Sequence, residues 1–203
     1  MSYLNFKTSH LIVFPICLLF FGCSSEIPEK QQTFVVWHRG TVDRYSKADN
    51  DLQYKEIWER RERGICEKLP DGTMTDWIGK VESLGINLLD PENSANINIQ
   101  ISERKAFFLF TTSAIYVQTL VGPLADSAAA IRIGENPKTA IIKGSPLYDQ
   151  LVSLKKGDKI LFSGQLVKDL VPGACFYEMS LSTNGKIRWP EYVARFTSIK
   201  KIN

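Results

Sequence analysis

The sequence has 203 residues, of which 44% are hydrophobic and 23% are charged, a composition typical of one globular domain. Its 25 basic and 22 acidic residues give a net charge of +3. This near balance gives no electrostatic case for binding nucleic acid, and it excludes the highly charged, weakly hydrophobic composition of disordered chains.

The N-terminal segment, residues 1–22, has the layout of an export signal. Its polar start carries Lys7, and Leu11–Phe21 is an apolar run interrupted only by Pro15. The run is shorter than the roughly 20 apolar residues that a spanning helix needs. A basic start, a short apolar centre and a small residue before the cut predict a removable signal peptide.

Residues 19–23 (Leu-Phe-Phe-Gly-Cys) resemble the lipobox of bacterial lipoproteins. In that family the Cys receives a diacylglycerol and becomes the mature N-terminus, so the resemblance implies that Cys23 is lipidated and anchors the protein to a membrane. Ser24 after the Cys implies the outer membrane, with the folded part facing the periplasm. A plain signal peptide cut nearby, with Cys23 incidental, is the alternative.

Two segments are predicted between the anchor and the sheet-forming part. Residues 23–32 are expected to form a lipidated polar tether, and residues 33–72 an N-terminal segment with one helix. The β-prone run at residues 33–37 indicates either a first strand or a segment that packs on the domain. Residues 38–40 (His-Arg-Gly) are expected to end that run.

An amphipathic helix is predicted between Ser46 and Leu69, because apolar residues recur on one face at helical spacing. Ser46 and Asp49 are its candidate N-caps. Gly64 is expected to weaken the helix by about 1 kcal/mol relative to Ala. Residues 70–72 (Pro-Asp-Gly) predict a turn after it.

The remainder, residues 73–203, is predicted to consist mostly of strands. Asn96–Ser102 alternates strictly, with three isoleucines on one face. Residues 183–185 (Thr-Asn-Gly) predict a tight hairpin. The other candidate strands are Asp76–Leu84, Ala106–Thr112, Ile115–Leu120, Ala128–Ile133, Thr139–Ile142, Asp158–Val167, Cys175–Leu181 and Glu191–Ile199.

One further helix is predicted from Ser145 to Lys156, with Ser145 as N-cap, Pro146 at the first helical position and Gly157 after its end. This helix and the strand after it resemble the corresponding part of OB-fold domains, in which a helix closes the bottom of a small barrel. The resemblance covers residues 77–199. It implies a mainly β (α+β) fold: an OB-like β-barrel with one capped helix, preceded by the N-terminal amphipathic helix.

Catalytic and metal-binding chemistry finds little support in the residues. The chain after the signal contains one histidine, His38, which is expected on the surface in a loop. One histidine without a neighbouring Cys does not make a zinc site, and no Gly-x-Ser-x-Gly motif is present, so neither a metal nor a cofactor is predicted. Cys66 and Cys175 either form a disulfide in an oxidising compartment or are two separate buried thiols.

The predicted role is therefore a binding or structural module at the cell envelope rather than an enzyme. The basic and aromatic residues of the C-terminal third suit single-stranded nucleic acid, but export removes the domain from nucleic acid. The binding face expected for another envelope protein, a glycan or a small ligand consists of Trp77, Tyr116, Tyr148 and Trp189. The alternative is an envelope hydrolase using a carboxylate pair, such as Asp149 with Asp158 or Glu178 with Glu191.

Overall fold

A computed structural model gives the fold for residues 27–86, 92–104, 113–119 and 139–202. Within these ranges the chain forms four helices and one six-stranded sheet. In chain order the elements are α1 (Glu29–Ser46), α2 (Asp51–Lys68), β1 (Thr73–Ile86), β2 (Ser94–Arg104), β3 (Ser113–Gln118), β4 (Ile141–Ile142), α3 (Pro146–Val152), β5 (Lys159–Leu166), α4 (Thr183–Arg188) and β6 (Glu191–Lys201).

Some sequence predictions lie outside the described residues: the signal peptide, Cys23, and the candidate strands Ala106–Thr112 and Ala128–Ile133. Over the described ranges helix and strand are present in similar amounts, so the fold is mixed α/β rather than mainly β. The difference arises because α1 adds a second long helix. No helix in these ranges is both long and apolar enough to cross a membrane.

The sheet closes on itself through five of its strands. Its order is β1-β5-β6-β3-β2-β4, and β1 also pairs with β2, which completes a ring of hydrogen bonds. All pairings are antiparallel except that of β3 with β6. The long strand β1 makes the closure possible, because Thr73–Lys80 pairs with β5 and Lys80–Ile86 pairs with β2. Register shifts in both halves mark the irregularities at which the strand bends.

The hydrophobic core lies inside this ring and follows the period-2 pattern of the sequence. The three isoleucines of Asn96–Ser102 are buried, as predicted, and so are the alternating apolar residues of β5. The predictions of β1, β2, β5 and β6 are confirmed, and Ile115–Gln118 lies in β3. A core residue of α1, Phe34, packs among them, with its ring 5.9 Å from Trp77 and 6.0 Å from Tyr192.

Helix α1 replaces the strand considered for residues 33–37, and it begins at Glu29, within the segment predicted as a tether. The alternative interpretation, a segment packing on the domain, holds. Its buried side chains recur at helical rather than strand spacing, and they include three polar residues that a hydrophobicity pattern misses. One is Gln31, whose side chain accepts from the Ile78 N–H (2.8 Å) and donates to the Ile78 carbonyl (2.6 Å). The Gln31 side chain thereby makes the two backbone hydrogen bonds that a neighbouring strand would otherwise make with Ile78 of β1. The pairing of β1 with β2 begins two residues later, at Lys80.

Helix α2 confirms the predicted amphipathic helix, but its N-cap is Asn50, whose side chain accepts from the Gln53 N–H. Ser46 instead ends α1. Gly64 faces Trp37 of α1 so closely that an added Cβ would lie 2.6 Å from the indole ring. The glycine is therefore required for the approach of the two helices, which propensity alone does not show.

Three local predictions are corrected in the C-terminal half. Helix α3 has the predicted Ser145 cap but ends at Val152 instead of Lys156, because residues 155–158 form a separate turn closed by the Asp158 side chain. Residues 183–185 begin helix α4 rather than a hairpin, since Ser182 caps them by accepting from the Gly185 N–H. The predicted strand Cys175–Leu181 makes only isolated bridges.

Candidate functional site

A buried charge cluster joins α2 to the sheet. Arg61 is 1% exposed, and its Nη2 donates to both carboxylate oxygens of Glu178, at 2.7 and 2.8 Å. The Lys186 carbonyl at 2.8 Å and the Tyr192 hydroxyl at 3.3 Å also lie within hydrogen-bonding distance of this nitrogen, so its two N–H groups are shared among these acceptors, while Nη1 donates to Glu62 at 2.6 Å. One side chain therefore connects α2, the segment before α4, α4 itself and β6.

The electrostatics of this cluster follow from burial. Burial alone would lower the pKa of Arg61, but Tyr192, Glu178 and Glu62 around it raise it above the ordinary value. Burial raises the pKa of Glu178, although Arg61 acts against this shift, and it raises the pKa of Tyr192 as well. Groups this enclosed are held together by their mutual contacts, and breaking one contact leaves a buried charge unpaired.

His38 of α1 belongs to the surroundings of this cluster and is not the surface loop residue that the sequence suggested. It is buried, and burial lowers its pKa to about 3, with the charges of Arg61 and Arg39 adding to the shift. The imidazole is therefore neutral at physiological pH. Its Nε2 is buried without a hydrogen-bonding partner among the described residues.

A disulfide adds a covalent tie beside the cluster. Cys66 of α2 is bonded to Cys175, with 5.5 Å between their Cα atoms, so of the two alternatives for these thiols the structure has the bridge. Cys175 lies three residues before Glu178. Helix α2 thus holds the segment 175–178 twice, once by a covalent bond and once by an ion pair.

The loop fixed by these ties, Val167–Ser182, exposes apolar side chains. Leu170 is 62% exposed and Val171 43% exposed. Val171 and the three residues after it face Trp58 across a surface cavity of about 390 Å³. Charged groups surround this cavity: Glu59, Glu62, Arg63 and Lys186. The Arg61 guanidinium lies 5.3 Å and the Lys186 ammonium 5.5 Å from the centroid of the Trp58 ring. These cation–π contacts hold the ring in place.

The binding face expected from the sequence does not exist as one surface. Trp77 is 1% exposed and belongs to the core, so its assignment to a binding face is wrong. Tyr148 is half-buried on α3. Tyr116 and Trp189 are both half-buried. Their segments adjoin, since the Tyr116 N–H donates to the Pro190 carbonyl at 3.0 Å.

A second cavity, of about 350 Å³, lies where β1 and β2 begin to pair. Two lysines, Lys80 and Lys159, face it from cross-strand positions on β1 and β5. Ile27, the first residue of the described chain, also lines it. The other lining residues are Gln31, Ile78, Gly79, Gln100, Ile101, Ser102 and Gly157.

One carboxylate in each pair considered for hydrolysis is bound by a cation. Glu178 is bound by Arg61, and Asp158 is bound by Lys201 at 2.9 Å. The contacts with Lys201 and the Lys155 N–H hold the pKa of Asp158 below its usual value, which does not suit a general acid. Over the described ranges, no group of three His, Cys, Asp or Glu residues is arranged to hold a metal ion.

Sequence reasoning missed the charge cluster, although one signal was present. Arg61 stands between Trp58 and Ile65 on the apolar face of α2, at helical spacings of three and four. A charged residue at such a position either extends to solvent or is paired with a distant partner. Its partner, Glu178, is 117 positions away, and nothing local identifies it.

No protein-family model, no curated protein and no solved structure matches this chain.

Proposed function

We propose that this protein is a cell-envelope lipoprotein, anchored through lipidated Cys23, whose folded domain binds another envelope protein. The observation that carries the binding role is the apolar loop around Val171, held in place beside Trp58. The proposal is non-catalytic, and no cofactor takes part in it.

The first support is that the loop is fixed before a partner arrives. Leu170 and Val171 lie outside the core, and exposed aliphatic side chains gain free energy when a partner covers them. The disulfide at Cys175 and the ion pair at Glu178 both hold the C-terminal half of the loop on α2. A surface ordered in advance loses less conformational entropy on binding.

The second support is the chemistry of the surface. Trp58 and Val171 form an apolar centre, and the charges of Glu59, Arg63 and Lys186 surround it. Protein interfaces commonly place aromatic residues at the centre and charged residues at the rim. A protein partner fits this surface better than a glycan, because the exposed loop groups are aliphatic.

The anchor and the compartment are supported by the sequence and by one structural feature. The lipobox resemblance of residues 19–23 implies lipidation at Cys23. The disulfide is of the kind that persists in oxidising compartments such as the periplasm. Ser24 favours the outer membrane as the site of attachment.

For residues 73–203 we propose an OB-like β-barrel. The five-strand ring and the capped helix α3 before β5 are the features that support it. The loop Val167–Ser182 follows β5 directly and therefore lies at one end of the ring. An envelope hydrolase is the weaker alternative, because Glu178 and Asp158 are held by cations.

The binding role is tested by placing a photocrosslinking amino acid at Val171 in cells, with an exposed position of β6, Thr197, as the matched control. We expect one discrete crosslinked protein from Val171 and none from Thr197, and a lower yield when Trp58 is changed to Ala. Equal products from the two positions, or a Val171 product that Trp58→Ala leaves unchanged, would contradict the proposal.

The anchor is tested separately by feeding cells a fatty-acid analogue. Wild-type protein should incorporate the label, and Cys23→Ser should not. Equal labelling of the two proteins would exclude Cys23 as the attachment site.

A further inference from the structure

The Cys66–Cys175 disulfide lies beside the Trp58 surface, and neither cysteine belongs to a strand of the closed ring. Both cysteines are half-buried. The residue before Cys175, Ala174, and the residue one helical turn before Cys66, Glu62, both line the surface cavity of about 390 Å³. An attacking thiolate must reach a sulfur of the bridge, so a bridge at the surface exchanges with external thiols more readily than one enclosed in a core. This bridge is placed for such exchange.

The base of the Val171 loop is fixed without the bridge. The Val167 N–H donates to the Val193 carbonyl of β6, and the Tyr177 N–H donates to the Val167 carbonyl, both at 2.8 Å. The buried ion pair at Glu178 holds the chain just after these contacts. Opening the disulfide therefore leaves the base of the loop attached to the sheet.

The tip of the loop, residues 170–174, is attached differently. Its backbone hydrogen bonds close the tip on itself, because the Val171 N–H donates to the Asp169 carboxylate at 3.0 Å and the Ala174 N–H donates to the Val171 carbonyl at 3.1 Å. Four of its five residues are exposed. Cys175 follows the tip directly, so its bond to Cys66 fixes the tip against α2. Opening this bond removes the covalent tie between the tip and the helix.

We propose that the Cys66–Cys175 disulfide is a redox switch for the partner surface. In the oxidised protein the tip holds Val171 across the cavity from Trp58. Reduction by a dithiol releases the tip from α2, so the apolar centre of the surface disperses and the partner is bound more weakly. Reoxidation restores the surface. The inference rests on the proposed binding role of this surface and adds its regulation.

The exchange balances with the dithiol as the only reductant. One thiolate of the dithiol attacks a sulfur of the bridge, the S–S bond breaks, and a mixed disulfide forms. The second thiolate of the dithiol attacks the mixed disulfide, and the dithiol leaves in its oxidised, disulfide form. Two electrons and two protons thereby pass to Cys66 and Cys175, which become thiols. The Cys66 Sγ lies 3.4 Å from the Glu62 carbonyl oxygen, so the new S–H group has an acceptor already in place.

The release of the tip is tested on the full-length, lipidated protein in neutral detergent. The bridge is reduced with dithiothreitol without denaturant, the thiols are blocked with iodoacetamide, and the reagents are removed. Thermolysin, which cuts before exposed aliphatic residues, is the probe, and mass spectrometry gives the cleavage rate at each site. We expect several-fold faster cleavage before Leu170 and Val171 in the reduced protein, because proteases cut segments that open locally. Cleavage before Val152, which is 71% exposed at the end of α3, should be unchanged.

A double variant supplies the reduced state without blocking groups. Cys66→Ser with Cys175→Ser should show the fast cleavage at the tip, and dithiothreitol should have no further effect on it. In cells, the same variant should give a several-fold lower yield of the photocrosslink from Val171. Ser145→Ala is the control for lost stability alone, because it removes the cap of α3 and keeps the bridge. Its crosslink yield should equal that of the wild type.

The outcomes separate the switch from the proposed function. Absence of a discrete crosslink from Val171 in the wild type would refute the binding role itself, whatever the cleavage rates. With the wild-type crosslink present, full yield from the double serine variant would overturn the switch and leave the binding role intact. A bridge that dithiothreitol opens only in urea, or equal acceleration of cleavage at Leu170 and Val152, would also overturn the switch. In either case release of the tip would require unfolding of the domain.

Discussion

The two ends of β6 are covered in different ways. Near its C-terminal end, α3 buries Leu151, and the side chain of Gln150 accepts from the Ile199 N–H at 3.0 Å. Near its N-terminal end, Tyr192 meets the buried pair Arg61 and Glu178. One end is thus covered by a short capped helix with an apolar stripe, and the other by a charge cluster and a disulfide.

The difference shows what each kind of contact demands of the sequence. Apolar side chains can be exchanged for others of similar volume at little cost in stability. Several different residues would therefore serve at the buried positions of α3. A buried ion pair tolerates little, because either partner alone is a buried, uncompensated charge. We infer that Arg61 and Glu178 define where the segment 175–178 lies on α2, which is also what holds the Val171 loop.

The largest effect is expected from removing one partner of the ion pair. Arg61→Met leaves Glu178 buried without a counter-charge and should lower the free energy of unfolding by about 3–5 kcal/mol. Urea denaturation of the oxidised protein measures this. The double variant Arg61→Met with Glu178→Leu should recover most of the loss, because both charges are gone. A double variant as unstable as Arg61→Met would show that the charge pair is not the cause.

The disulfide is the next contribution at this end. Cys66→Ser with Cys175→Ser should lower the free energy of unfolding by about 2–4 kcal/mol, because a loop closed over 109 positions becomes unconstrained in the unfolded chain. The loss should equal that of wild-type protein measured under reducing conditions. A wild-type protein that reduction leaves unaffected would contradict the assignment of the bridge.

At the contact between α1 and α2, the structure predicts a loss of stability for a substitution that helix propensity alone would predict to be stabilising. Helix propensity alone favours Gly64→Ala, yet the new Cβ would clash with Trp37 at 2.6 Å, so we expect a loss of about 1–3 kcal/mol. Gly40→Ala in α1 is the matched control, because its Cβ would meet its nearest neighbour at an ordinary 3.6 Å. That variant should be neutral or up to about 1 kcal/mol more stable in thermal unfolding.

His38 makes the charged end sensitive to acid. Its pKa is about 3 in the folded protein and about 6.5 in the unfolded chain, so the unfolded state binds more protons between these pH values. Its contribution to stability is complete above about pH 6.5 and falls as the pH drops towards 3. At pH 5 the loss relative to neutral pH is about 2 kcal/mol.

The matched variant for this effect is His38→Gln, compared with the wild type by urea denaturation at pH 7 and pH 5. The wild type should lose about 2 kcal/mol more than the variant over this interval. Other titrating groups, including Glu178, are common to both proteins and cancel in the difference. Equal losses would mean that His38 is not held neutral.

The sequence predicted the parts of the fold that rest on local pattern. The alternation of Asn96–Ser102 identified β2, and the Ser145–Pro146 pair identified the start of α3, because both depend on residues that are close along the chain. Helix α1 was missed because three of its buried positions, Gln31, His38 and Thr41, are polar and break the hydrophobic period.

The candidate site was less predictable than the fold, and for a physical reason. Arg61 and Glu178 are 117 positions apart, and Cys66 and Cys175 are 109 apart. Whether such residues meet depends on the path of the whole chain. Aromatic content alone was also misleading, because it placed Trp77 on a surface when the residue fills the core.

The smallest effect is expected at the apolar end, where the stabilising features are local. Ser145→Ala removes the N-cap bond from the Tyr148 N–H and should cost about 1 kcal/mol in the free energy of unfolding. Ser145→Asp should retain nearly all the stability, since a carboxylate also caps a helix and suits its positive end. Neither variant should alter crosslinking from Val171, because α3 makes no tie to that loop among the described residues. A Ser145→Ala variant that lost the Val171 crosslink while folded would show that the two ends are coupled through β6.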